Sequence, residues 1–210
     1  LVILGAGGDF STGIDLSDPV VRDPSWATPL EKMQRFHSAA LALHALRKPS
    51  IAAVDGYAVG AGMSLALCCD LAVATSRARF SAIFVKRGLS IDFGLSWLLP
   101  RLVGASKAKE IALLGDFIDA DAALALGLVC AVVAPDELDA AAGRLAARLA
   151  AGPTVAMGRD LELIDGSFDR SFTEALDAEA ESQVANQRTE DVVEAVSAFL
   201  EKREARFTGR

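Results

Sequence analysis

Short apolar runs at residues 1–4, 50–54 and 70–74 punctuate the first third of the chain. Runs of this length, bounded by glycine, proline or aspartate, predict buried β-strands. The stretches 29–46 and 61–67 between them read as helices. Strands alternating with helices predict an α/β fold with parallel pairing. Pro49 is expected to close the first helix, because the residue before a proline leaves the helical region. Residues 79–102 form a mixed segment without a clear period, and such segments on a rigid scaffold tend to carry function. Further on, Leu138, Ala142, Leu145 and Leu149 recur at helical spacing and stop at Gly152-Pro153. Val192, Val196, Phe199 and Leu200 mark a second apolar helical face, expected to be buried. The pattern divides the chain into a core at 1–133 and a helical C-terminal part at 134–210.

Composition narrows the function classes. The chain has 210 residues, 52% hydrophobic and 23% charged, enough for one sizeable core and too little for two large domains. A net charge of −7 argues against nucleic-acid binding, which needs a basic footprint. A local basic patch remains compatible with an anionic cofactor. Cys68, Cys69 and Cys130 are odd in number and form no C-x-x-C pair, so neither a disulfide framework nor a metal site is expected. Buried reduced thiols and a cytoplasmic location follow as expectations. No run approaches the roughly 18 apolar residues of a membrane span. The chain begins inside a strand, at Leu1-Val2-Ile3-Leu4, without a methionine. Ladder groups left unpaired there predict further structure on the N-terminal side.

Two glycine-bearing segments follow strands: Phe10-Ser11-Thr12-Gly13-Ile14-Asp15-Leu16 and Asp55-Gly56-Tyr57-Ala58-Val59-Gly60-Ala61-Gly62. Each puts glycine where the chain must turn sharply and backbone must come close to something. Two such turns side by side can aim two peptide N–H groups at one point, which is an oxyanion hole. A dinucleotide fingerprint fails twice, because Phe10 and Leu65 stand where G-x-G-x-x-G needs its last glycine. No G-x-S-x-G elbow is present, which disfavours an α/β-hydrolase.

The two segments, in this order and followed by Cys69-Asp70-Leu71, resemble the crotonase (enoyl-CoA hydratase/isomerase) superfamily along nearly the whole chain. The resemblance implies a spiral core of ββα units, an N-terminal strand–helix–strand stretch ahead of Leu1, and C-terminal helices that assemble a homotrimer or a dimer of trimers. It also implies an enzyme that holds an acyl-CoA thioester and stabilises its enolate, with no tightly bound cofactor. The oxyanion donors carry over to the N–H groups of Ile14 and Ala61. Aspartates at the positions of Asp15 and Asp70 are mostly structural in the family. The hydratases' two glutamates fall on Ser64 and on Phe84, four residues after the phenylalanine of Ala78-Arg79-Phe80. Both glutamates are therefore absent, which puts ordinary enoyl-CoA hydration in doubt.

One carboxylate stands where several family isomerases, including ring-epoxide isomerases of phenylacetyl-CoA breakdown, keep an acid. It is Asp92, in Gly88-Leu89-Ser90-Ile91-Asp92-Phe93-Gly94. An isomerase needs one group that removes and returns a proton, while the hole carries the charge. The apolar neighbours Phe84, Ile91, Phe93 and Trp97 are expected to raise the Asp92 pKa by desolvation. The bland alternative is a loop aspartate that caps the helix beginning near Ser96. His37 falls where the family's 4-chlorobenzoyl-CoA dehalogenase keeps its general base; a packed helix histidine is the alternative. Phe199-Leu200-Glu201-Lys202-Arg203 matches the family's C-terminal helix and nominates Lys202 for the CoA phosphates, against a solvated helix-end cation. The leading expectation is an isomerase centred on Asp92. Its rivals are a hydratase with another acid–base pair and a catalytically inactive protein that binds CoA or a protein partner.

Overall fold

The computed structural model describes residues 1–18, 23 and 28–210. The chain divides into two compact units, one of Val2–Ala45 with Ser50–Gly143, the other of Leu1 with Leu46–Pro49 and Arg144–Arg210.

The first unit is an α/β layer structure. Strands β1 (Val2–Leu4), β2 (Ile51–Val54), β4 (Leu71–Thr75) and β7 (Ala131–Val133) form a parallel sheet in the order β1-β2-β4-β7. All four residues of β2 are buried. That is the burial expected of a central parallel strand covered on both faces, and it explains the unbroken apolar run. A smaller sheet of β3 (Tyr57–Val59), β5 (Arg79–Ser81) and β6 (Ile118–Asp119) lies in the order β3-β5-β6. Sequence periodicity does not predict it, because strands of two or three residues hold too few alternations to register.

Helix α1 (Pro29–His44) starts where local chemistry dictates. The Thr28 hydroxyl accepts the Glu31 N–H, the Glu31 carboxylate accepts the Thr28 N–H, and Pro29 supplies the preset first-turn geometry. The helix ends at His44 with a cap at Ala45, whose N–H donates to Leu41 O. Pro49 therefore does not close it, contrary to the sequence expectation. Helix α2 (Ala61–Cys68) is buried along almost its whole length. The mixed segment resolves into a 3₁₀ turn (Ile83–Arg87), a loop, and α3 (Leu95–Leu114), which kinks at Gly104. A short α4 (Ala120–Ala125) leads into β7, and α5 (Leu138–Ala150) follows it.

The second unit is helical, with α6 (Thr154–Asp165), α7 (Phe172–Asn186) and α8 (Glu190–Glu201). The buried face predicted on α8 needs correction. Phe199 is 82% and Leu200 73% exposed in this chain, whereas Ala198 and Asp191 are buried. The Asp191 carboxylate accepts the N–H groups of Thr208 and Gly209 at 2.7 and 3.0 Å, pinning the chain's last residues to α8. Among the described residues no helix is long and apolar enough to cross a membrane.

Candidate active site

Both glycine segments come together in the first unit. Ser11 bridges to Ala58 in parallel register, with its N–H on Tyr57 O at 2.9 Å and its carbonyl accepting the Val59 N–H at 2.9 Å. This pairing lays residues 10–14 along the start of α2. Glycine is required at two points of the contact. A Cβ on Gly13 would stand 3.0 Å from Val59 O and 3.4 Å from the Ala61 nitrogen, and Gly13 has φ +93°. A Cβ on Gly62 would stand 2.2 Å from Ser11 O, which no side chain tolerates. Ala61 is the first residue of α2, so its N–H has no acceptor within the helix.

Ile14, Ala61 and Asp92 line one cavity of about 710 Å³. Its walls include Ile83, Phe84, Leu89 and Phe117. Asp15 also borders the cavity, and its carboxylate accepts the Ser17 N–H at 2.8 Å and hydroxyl at 2.6 Å. Asp70 accepts the Ser50 N–H at 2.6 Å and hydroxyl at 2.7 Å. Both aspartates therefore hold backbone. Asp92 differs. Oδ1 is buried without a hydrogen-bond partner among the described residues. Burial pushes its carboxyl above the ordinary carboxylate value, and the nearby His37 charge pulls against that shift. The His37 Nε2 is likewise buried without a partner among the described residues. The structure thus brings His37 and Asp92 into electrostatic reach.

Asp92 precedes an outlier. Phe93 has φ +52°, which costs a residue with a Cβ, and it is 4% exposed. Its ring packs 4.7 Å from that of Phe36, centroid to centroid, next to His37. The packing holds Asp92 at the turn just before α3. Leu95 N–H donates to Asp92 O at 3.1 Å, so the Asp92 backbone carbonyl, not its carboxylate, serves the helix start. At the two glutamate positions the side chains are Ser64, fully buried, and Phe84, 7% exposed. Lys202 lies in the second unit as the exposed C-cap of α8, with φ +56°. The sequence reading missed the lining residues Tyr57, Leu89 and Phe117. Tyr57 and Leu89 lie inside the segments that carry Ala61 and Asp92, and Phe117 outside any motif, but no spacing in the sequence marks the three as neighbours.

Desolvation sets the sign of a stability effect. With its folded pKa raised, the Asp92 carboxyl favours the folded state while protonated. That contribution is lost as pH rises from the unfolded value of 3.8 through the higher folded value. Asp92→Asn is therefore expected to raise Tm at pH 7, and the gain should disappear as pH falls below 3.8. Thermal melts of both proteins across pH check it; a lower Tm for the variant at pH 7 would contradict the desolvation argument.

The family model for enoyl-CoA hydratase/isomerase matches residues 1–210. The 1,2-epoxyphenylacetyl-CoA isomerase of Escherichia coli K12 is 39% identical over 213 residues, covering 100% of this chain and 81% of that protein. The crotonyl-CoA hydratase of Syntrophomonas wolfei is 34% identical over 217 residues, covering 100% and 80%. The crystal structure of an enoyl-CoA hydratase from Polaromonas sp. JS666 superposes with a TM-score of 0.91 at 33% identity, covering 99% of this chain and 81% of that one.

Proposed function

The chain belongs to the enoyl-CoA hydratase/isomerase family, with the crotonase fold, and on that premise we propose that it is an acyl-CoA isomerase using Asp92 as its single acid/base. One observation carries the reading: a part-buried carboxylate whose Oδ1 has no partner among the described residues shares a cavity with Ile14 and Ala61, while both hydratase glutamate positions hold groups without useful proton chemistry. The likeness to an epoxyphenylacetyl-CoA isomerase supports it.

In this mechanism the thioester oxygen accepts hydrogen bonds from the N–H groups of Ile14 and Ala61. The Asp92 carboxylate removes a proton from Cα of a β,γ-enoyl thioester. The electron pair moves onto the oxygen, where the two donors hold the dienolate, and a preorganised donor gains most when charge develops there. The Asp92 carboxylic acid then returns the proton to Cγ, leaving the α,β-enoyl thioester. Raising the Asp92 pKa suits this duty, since one group must both take and give a proton. His37 tunes the carboxylate from beside it. The same reading gives Lys202 the CoA phosphates. It also gives the exposed Phe199 and Leu200 to contacts within a homotrimer or dimer of trimers.

The deciding experiment supplies β,γ-enoyl-CoA and crotonyl-CoA in parallel and follows absorbance of the conjugated thioester. Absorbance should rise with the first substrate. Hydration of the second should run far below the roughly 10² s⁻¹ of an efficient enzyme. Rapid loss of crotonyl-CoA absorbance would instead establish a hydratase with a different acid–base pair.

A further inference from the structure

The glutamate position that Ser64 occupies is not idle. Ser64 is fully buried on α2, out of reach of water. Its hydroxyl lies 3.1 Å from the carbonyl of Asp92 and 3.3 Å from the carbonyl of Gly60. A hydroxyl has one proton to donate, and both distances exceed the usual 2.7–2.8 Å of a single O–H···O bond. Both carbonyls lie within reach of that one proton. One acceptor belongs to the residue immediately before Ala61, the other to Asp92 itself. Gly60 is fixed in turn by its N–H on Ser81 O at 2.8 Å.

Asp92 Oδ1 is buried with no hydrogen-bond partner among the described residues to aim it. Its direction is therefore set through its backbone, by the Leu95 N–H, the packing of Phe93 and the Ser64 hydroxyl. Of these, only the hydroxyl also binds the turn that carries Ala61.

We propose that Ser64 is a positioning residue that holds the acid/base loop in register with the oxyanion-hole turn, by sharing one hydroxyl proton between Asp92 O and Gly60 O. The inference rests on the reading of Asp92 as the acid/base. Where the hydratases bring a carboxylate, this chain brings a clamp. Reacting groups displaced by about 1 Å lose on the order of 10²-fold in rate, so a clamp between base and hole has measurable weight.

A double-mutant cycle tests it, using β,γ-enoyl-CoA isomerisation by the whole chain. Ser64→Ala should lower kcat by about 10- to 100-fold with KM changed less than about threefold, since alignment and not binding is lost. In the Asp92→Asn background the same substitution should cost nothing further. Ser64→Cys, whose thiol is a weak donor of similar size, should recover part of the loss. It also carries the cycle should the alanine variant fail to fold. An equal loss in both backgrounds would place the effect of Ser64 on the hole or the fold and overturn the proposal, as would an unchanged kcat. Should Asp92→Asn itself keep full kcat, the isomerase reading fails first and the clamp with it, an outcome distinct from the other two.

Discussion

Asp92→Asn should cut kcat for β,γ-enoyl-CoA isomerisation by about 10²–10⁴-fold, the usual contribution of a general acid–base group. Asparagine keeps the size and the backbone carbonyl that Leu95 and Ser64 grip, and it removes the charge and with it the ability to take a proton. Affinity for the CoA thioester should stay close to wild type, because the side chain keeps its size in the cavity wall and Ala61 is untouched. The wild-type pH profile supplies a second check. Removal of the Cα proton needs the carboxylate, so kcat should rise with pH through an acid limb. Burial raises the Asp92 pKa, and that limb should therefore lie above the ordinary carboxylate value of 3.8. His37→Gln removes the opposing charge and should shift the limb further upward with a smaller loss of kcat. A wild-type kcat in Asp92→Asn would end the proposed mechanism.

How much of this was legible beforehand depended on how local each signal is. The strands at 1–4, 50–54 and 70–74 reappear as β1, β2 and β4 within a residue at either end, because a continuous apolar run bounded by turn residues is a local property. The two glycine segments were legible for the same reason, and the family resemblance nominated Asp92. The second sheet was not, since β3, β5 and β6 pair across distant segments and are two or three residues long. The end of α1 does not follow from the proline, because a backbone cap at Ala45 acts before Pro49 is reached. Phe199 and Leu200 satisfy helical spacing, yet periodicity shows only that a face is apolar and not what covers it. The Ser64–Asp92 bond joins residues 28 positions apart and has no sequence signature. The serine at the glutamate position is, in space, a contact with the backbone of Asp92, the residue proposed as the acid/base.

Ala61→Pro should abolish turnover, with a loss of at least roughly 10²–10³-fold, the weight of one oxyanion donor. The position makes the test selective. Ala61 is the first residue of α2, where proline's fixed φ is compatible with the helix and the missing N–H costs no intrahelical bond. Gly60 before it has φ +58° and ψ −124°, the mirror image of the extended geometry that ordinarily precedes proline, and open to glycine alone. The substitution therefore removes the donor and puts the ring Cδ where the thioester oxygen would sit, with the rest of the helix intact. Circular dichroism and Tm should remain near wild type while kcat collapses. Asp92→Asn and Ala61→Pro should also differ in kind. The first leaves a thioester polarised but without a base, so the carbonyl stretch of bound acetyl-CoA should stay shifted to lower frequency. The second leaves the base but not the hole, so the shift should be lost. A folded Ala61→Pro enzyme with full activity and an unchanged carbonyl stretch would mean that the charge of the enolate is held somewhere other than at the start of α2.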